Sequence, residues 1–269
     1  MIVDFLGNGS PTLLESPSET RRFGFRVSRL SVPIGSPFSD EEISGLITSS
    51  NSELVIVRAS AKRENLPIVL GGIKGATCIH ADNLVYYQWT LNSASSLDVR
   101  MTGVSTSLNK SFESVVDVLR RSFNGYKNHY SANSRLSQFV TTSAYEEWAS
   151  EVLKQKSSRM YVSSSDKNGE SIGFVLLTIW ETEHLAEVVL NAVRPDAHRN
   201  GIYTALMRTC ANDLASLGTV DTLYISTQRE NLAVVSAWEK LGLRPYAALN
   251  TFHVMRDDPS AAAVDRRSA

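Results

Sequence analysis

The chain has 269 residues, 42% hydrophobic and 20% charged, with a formal net charge of −1. That length buries a core in one large domain or two small ones, and the composition is ordinary for a globular protein. A near-neutral balance supplies no basic field for nucleic acid or an anionic membrane, and no apolar run approaches the roughly 20 residues that span a bilayer. The two cysteines, Cys78 and Cys210, lie far apart without metal-ligand spacing, so no metal is expected. The N-terminus has Asp4 early and no basic-then-apolar run. The expected location is therefore cytoplasmic, with neither membrane nor nucleic acid as partner.

In chain order, residues 1–20 are rich in Pro and Ser and hold at most an edge strand. Residues 22–30 alternate apolar and basic from Phe23, a half-buried strand pattern. Ser39-Asp40-Glu41-Glu42 opens a short helix, with carboxylates where the helix dipole favours them. A strand at 54–57, a short helix at 66–72 and two strands around 76–80 and 84–91 follow. The polar run 92–96 is the expected domain boundary. Beyond it come a strand at 98–104, an amphipathic helix at 109–123 and a polar, aromatic stretch at 125–142 without a clear period. A helix at 145–154 leads to a hairpin of 159–164 and 172–181 turning at Asn168-Gly169. Strand 185–194, helix 202–217, strand 220–227, helix 231–241 and strand 248–255 complete the fold, and residues 257–269 read as a frayed tail.

The stretch 185–217 organises this plan. A β-branched strand is stopped by Arg194-Pro195-Asp196, and a short Arg/Asn/Gly loop enters a helix whose apolar residues fall at 202, 206, 210, 214 and 217. Such a loop aims several backbone N–H groups, at the positive end of a helix dipole, at one phosphate-sized spot.

The strand 185–194, the loop His198-Arg199-Asn200-Gly201-Ile202-Tyr203 and the segment Asn231…Trp238-Glu239-Lys240-Leu241-Gly242-Leu243 resemble the GNAT superfamily of acyl-CoA-dependent N-acetyltransferases. The family loop reads Arg/Gln-x-x-Gly-x-Gly/Ala. His198 stands at its first position, Gly201 matches the first glycine, and Tyr203 replaces the last small residue. Over residues 19–255 the chain is similar to the two-domain TDP-fucosamine acetyltransferase type. The carrying residues are Arg22-Phe23-Gly24-Phe25, Phe123, His129-Tyr130-x-x-Asn133, Tyr145-x-x-Trp148 and Thr227-Gln228-x-x-Asn231. The resemblance implies an α/β (α+β) GNAT fold, with a mixed, mostly antiparallel central sheet flanked by helices. A smaller degenerate GNAT-like domain would occupy 1–94, the acetyltransferase domain 95–258 and a flexible tail 259–269.

By the same resemblance the donor is acetyl-CoA and the acceptor is a small amine, a nucleotide-linked amino sugar in that type. Leu190, Asn191, Ala192 and Val193 would offer splayed-strand backbone to the pantetheine arm and one N–H to the carbonyl oxygen. His198, Arg199, Asn200, Gly201, Ile202, Tyr203 and Thr204 would cradle the pyrophosphate. Asn231 either bonds the arm or caps its helix. The family's acid tyrosine maps onto Trp238, and indole does not ionise usefully. Glu187, with His184 nearby, is the candidate general base, and His129 and Tyr130 are candidate acceptor contacts. The alternatives are a different small amine, a bulkier acyl-CoA, or a catalytically silent acyl-CoA-binding protein. A homodimer is a candidate assembly.

Overall fold

The computed structural model describes residues 1–91 and 103–257. They form two compact units that do not follow chain order. Unit 1 takes Met1–Leu84, Lys127–Val140 and the chain from Ala247, while unit 2 takes Val85–Tyr126 and Thr141–Tyr246. The expected cut at 94/95, the 92–96 linker and the tail lie outside the described residues.

Unit 1 begins with β1 (Thr12–Glu15), α1 (Pro17–Phe23) and β2 (Val27–Ser31). The alternation at 22–30 therefore does not make one strand. Pro17 in the first turn, Arg21 and Arg22 in the last, and Gly24 at φ +80° after it are helix start and stop signals, and they override the pattern until Val27. Next come α2 (Asp40–Ser49), β3 (Leu54–Ser60), α3 (Leu66–Gly71) and β4 (Ala76–Thr90). α2 opens with a capping box, Ser39 Oγ accepting from Glu42 N–H and the Glu42 carboxylate from Ser39 N–H. The two strands expected over 76–91 are one. Its polar middle is satisfied in place, since Asn83 Nδ2 donates to Asn250 Oδ1 at 2.7 Å and the His80 ring bonds the same oxygen at 3.1 Å.

Unit 2 continues with β5 (Val104–Leu108), α4 (Val116–Phe123), α5 (Thr142–Leu153), β6 (Ser158–Ser165), β7 (Ser171–Trp180) and β8 (Leu185–Val193). Then follow α6 (Ile202–Leu217), β9 (Thr222–Gln228), α7 (Leu232–Lys240) and β10 (Arg244–Arg256). The helix expected over 109–123 is a 3-10 turn, Phe112–Val115, followed by α4. Of the strand expected at 98–104, residues 98–102 lie outside the described residues, Gly103 is in a turn, and the strand runs from Val104 to Leu108.

The sheet of unit 1 runs β1-β2-β3-β10-β4, with β2 and β3 parallel and β1 and β10 antiparallel to their neighbours β2 and β3. That of unit 2 runs β4-β9-β8-β7-β6-β5, with β5 to β8 antiparallel and β8–β9 parallel. Each is mixed, mostly antiparallel and flanked by helices.

In unit 2 both sheet faces are covered, so β7 reads as a continuous apolar run. Phe174 and Leu176 pack with α4 and α5, while Val175, Leu177 and Ile179 pack with α6 and α7. β8 changes hands midway: Ala186 and Val188 belong to the α6/α7 side, Leu190 and Ala192 to the α4/α5 side. The cause is a bulge. Leu177 pairs with Val188 but Leu176 with Leu190, leaving Val189 as the extra residue, and one extra residue flips every later side chain. Gly173, opposite Val193, lets α6 close onto the sheet here. A Cβ on it would meet Leu206 Cδ1 at 3.0 Å and Val193 Cγ2 at 3.1 Å.

Candidate active site

The bulge and the parting of two strands coincide. β8 and β9 pair from Leu185↔Thr222 to Val188↔Ile225. Past that point β8 continues to Val193 and β9 to Gln228 without pairing to each other. Residues 189–193 therefore turn a row of backbone groups to a fork rather than to a neighbouring strand. Leu190, Ala192 and Val193 are buried and Asn191 is half-buried.

β8 delivers the chain to a tightly held loop. The Arg194 guanidinium binds Asp196 at 2.6 Å and Glu170, in the β6–β7 turn, at 3.2 Å. His198 Nε2 sits 2.7 Å from Val193 O; a carbonyl only accepts, so Nε2 carries the hydrogen and the ring staples the loop to the end of β8. Arg199 at φ +64° and Gly201 at φ +77° are left-handed, whereas Asn200 between them is not. Left-handed residues beside ordinary ones turn successive N–H groups inward, the geometry of an anion nest. Gly201 is the N-cap of α6, no side chain caps that end, and the first intrahelical bond is Ala205 N–H to Gly201 O. The amides of Ile202, Tyr203 and Thr204 thus precede the helical ladder. His198, Arg199, Asn200 and Gly201 are exposed. The residues suit a pyrophosphate at the loop and an extended arm at the fork.

The other expected residues occupy less simple positions. Asn231 stands at the N-cap of α7, yet its side chain caps nothing and instead donates to Thr227 Oγ1 at 3.1 Å. Trp238 is 1% exposed in the unit 2 core, with its ring 5.4 Å from that of Tyr87, and its indole N–H donates to the Tyr203 hydroxyl at 2.7 Å. Trp238 is thus packed away from solvent rather than lining an open wall. Glu187 is buried at 4% exposure and lies across from Thr178 on β7 and Tyr224 on β9. His184 is exposed in the preceding turn at φ +55°.

Glu187, the 190–193 strand, the 198–204 loop, Asn231 and Trp238 all belong to unit 2; His129 and Tyr130 belong to unit 1. The aperiodic stretch 125–142 leaves the order of its own unit there, in 3-10 turns at His129–Ala132 and Ser137–Phe139. Both residues are buried and engaged. The Tyr130 hydroxyl donates to the Glu19 carboxylate and accepts from Arg29 at 3.0 Å, and Arg29 grips Glu19 with two bonds of 2.7 Å. His129 Nδ1 meets His253 Nε2 at 2.8 Å, and Asn133 Nδ2 lies 3.5 Å from His253 Nδ1. Burial alone would raise the Glu19 carboxyl's pKa, but Arg29 and the hydrogen bonds outweigh it, and the net shift is downward. Burial, with Arg29 and Arg58 nearby, pushes both histidines down, His253 to about 4 against the attraction of Glu19. Two neutral rings then share one hydrogen across the His129 Nδ1–His253 Nε2 contact.

That pair sets a pH dependence. An unfolded histidine takes its proton near 6.5, whereas folded His253 refuses it down to about 4. Its contribution is whole above pH 6.5 and lost as the pH falls toward 4, at up to about 1.4 kcal/mol per pH unit. Urea unfolding of unit 1 at pH 7.5 and pH 5 is expected to show the loss, and His253→Gln to flatten it. An equal acid response in the variant would refute this assignment.

The bulge at Val189, the Tyr203–Trp238 bond and the Glu19–Arg29–Tyr130 cluster were not among the sequence expectations. None carries a local signal, because each is a pairing between distant residues.

Comparison with known proteins bears on this geometry. Residues 115–243 match the model of the acetyltransferase (GNAT) family. That stretch contains the bulged strand, the fork, the loop and both helices around it. The match covers just under half of the chain. Members of that family are acetyltransferases, and their general acyl donor is acetyl-CoA. No protein of curated function matches the chain. Among solved structures, a GCN5-related N-acetyltransferase from Kribbella flavida is 13% identical over 95% of this chain and 90% of its own, with a TM-score of 0.59. A tandem GNAT protein from the clavulanic acid biosynthesis pathway is 11% identical over 94% and 86%, with a TM-score of 0.58. A GCN5-related N-acetyltransferase from Sphaerobacter thermophilus is 11% identical over 92% and 77%, with a TM-score of 0.56. At these identities the likeness is one of fold. Among the described residues no helix is long and apolar enough to cross a membrane, and no group of three or more His, Cys, Asp or Glu is placed to hold a metal.

Proposed function

We propose that this protein is a GNAT acetyltransferase that transfers acetyl from acetyl-CoA to the amino group of a small molecule by direct attack, without a covalent enzyme intermediate. The observation that carries the reading is the coincidence in unit 2 of the β8–β9 fork with the uncapped, nest-shaped entry to α6. In this reading His198 to Thr204 hold the pyrophosphate, and the backbone of Leu190, Asn191, Ala192 and Val193 pairs with the pantetheine arm. One amide of that strand polarises the thioester carbonyl, where a fixed donor stabilises the charge that develops on oxygen. Asn231, free of capping duty, reaches the arm. Glu187 accepts the amine's proton through water, since a buried carboxylate needs a relay.

The acceptor assigned here is a nucleotide-linked amino sugar, supported by the resemblance over residues 19–255. His129 and Tyr130 are read as holding the 127–140 segment within unit 1, since His129 Nδ1 and the Tyr130 hydroxyl are bound there. Unit 1 is read as a degenerate GNAT-like domain. A protein of similar fold is described as a tandem GNAT protein. Calorimetry with acetyl-CoA, followed by thiol release with a panel of nucleotide amino sugars and simple amines, tests the proposal. Absence of coenzyme A binding would remove it. Binding with no turnover on any amine would favour a silent acyl-CoA-binding protein, the reading that burial of Trp238 motivates.

A further inference from the structure

We infer that Tyr203 is the acid that protonates the departing thiolate, and that Trp238 is its positioning residue. The inference rests on the acetyl-transfer reading above. Breaking the thioester leaves a thiolate whose conjugate acid titrates near 8.5, so a nearby proton donor eases the step. Trp238 cannot supply that proton: indole donates a hydrogen bond without ionising, and its N–H is already committed to Tyr203.

That bond fixes the polarity of the pair. Nε1 of Trp238 donates, so the Tyr203 oxygen accepts and its own proton points elsewhere, and no acceptor for that proton is present among the described residues. A phenol held through one lone pair, with its hydrogen uncommitted, is a placed donor. Trp238 is fully buried and so makes a rigid mount, whereas Tyr203 is half-buried.

Position supports the role. Tyr203 lies in the first turn of α6, where the positive end of a 16-residue helix stabilises the phenolate that donation leaves. It packs against the cluster containing Val188, Ile225 and Trp238, and Val188 and Ile225 are the last paired residues before the strands part. The ring thus packs on the core that carries the fork's last paired residues, and its hydroxyl is held there by Trp238. Burial keeps the phenol protonated above its ordinary range, against the pull of the Trp238 bond, so it holds its hydrogen until the sulfur becomes basic.

The step balances. The neutral amine attacks the carbonyl carbon and a C–N bond forms. The C–S bond breaks with its electron pair passing to sulfur, which takes the Tyr203 proton. The nitrogen sheds one proton to water, and water returns one to the phenolate.

Hydroxylamine, a small amine, serves as acceptor while thiol release from acetyl-CoA is followed. Tyr203→Phe is expected to lower kcat about 100-fold, within the usual range for a general acid, with the coenzyme A Kd unchanged within about threefold. Trp238→Phe is expected to lower kcat about tenfold, and the double variant to be no slower than Tyr203→Phe alone, since both act through one proton. Undiminished kcat in Tyr203→Phe, or losses that multiply in the double variant, would overturn the assignment while leaving acetyl transfer intact. A wild-type protein that neither binds coenzyme A nor releases thiol would overturn both.

Discussion

Replacing Glu19 with Gln is expected to cost about 3 kcal/mol of unfolding free energy, the largest single-site loss predicted for unit 1. The carboxylate is 3% exposed and receives three hydrogen bonds from Arg29 and Tyr130. Gln keeps the shape but removes the charge, leaving a guanidinium and a phenol beside a neutral amide. Breaking a buried ion pair by removing one partner typically costs about 3–5 kcal/mol, and the low end applies because Arg29 is 41% exposed and partly solvated. Glu19 joins α1 to β2 and, through Tyr130, to the 127–140 segment. The loss is therefore expected to loosen that segment first, read as faster amide exchange at 129–136. The carboxyl's depressed pKa places the wild-type contribution above the unfolded carboxylate range, and it is lost as the pH falls through the lower folded value. A Glu19→Gln variant that unfolds at the wild-type urea midpoint would show that the cluster is incidental.

Gly201→Val is expected to weaken coenzyme A binding at least tenfold while leaving the fold in place. Gly201 sits at φ +77° as the N-cap of α6. A β-branched residue held there stores roughly 1–3 kcal/mol, which the exposed loop releases by relaxing rather than by unfolding the helix. Relaxation turns the amides of 200–203 away from their common focus, and about 1.4 kcal/mol corresponds to tenfold in affinity. Calorimetry with coenzyme A, beside a thermal midpoint close to wild type, is the measurement. Wild-type affinity in Gly201→Val would place the pyrophosphate elsewhere. His198→Ala should act in the same direction but less, because it removes one staple to Val193 O and leaves the backbone conformation allowed.

Much of the candidate site was legible because its signals are local. Strand 185–193, the stop at Arg194-Pro195 and the glycine before α6 follow from β-branching, proline geometry and the need for a left-handed residue. The hairpin at Asn168-Gly169 and the capping box at Ser39 are of the same kind. The strand expected at 22–30 forms only from Val27, since Pro17 and Gly24 bound a helix before it more strongly than alternation bound a strand.

What no local pattern held was partnership. Val189 looks like any β-branched residue of its strand, and only pairing with β7 makes it the extra one and parts β8 from β9. Trp238 reads as a substitution that deletes an acid; only the packing of α7 places its N–H on Tyr203. His129 and Tyr130 read as loop residues awaiting a ligand, and only the return of β10 and the placing of α1 supply His253 and Glu19 as their partners. By itself the sequence determined the element types, the helix entry at Gly201 and the chemistry suited to it, because backbone preference and short-range capping act within a few residues. The tertiary structure decided where the strands part, which hydroxyl keeps a proton to give, and to which unit the 127–140 segment belongs. Those depend on register and burial between residues far apart in the chain.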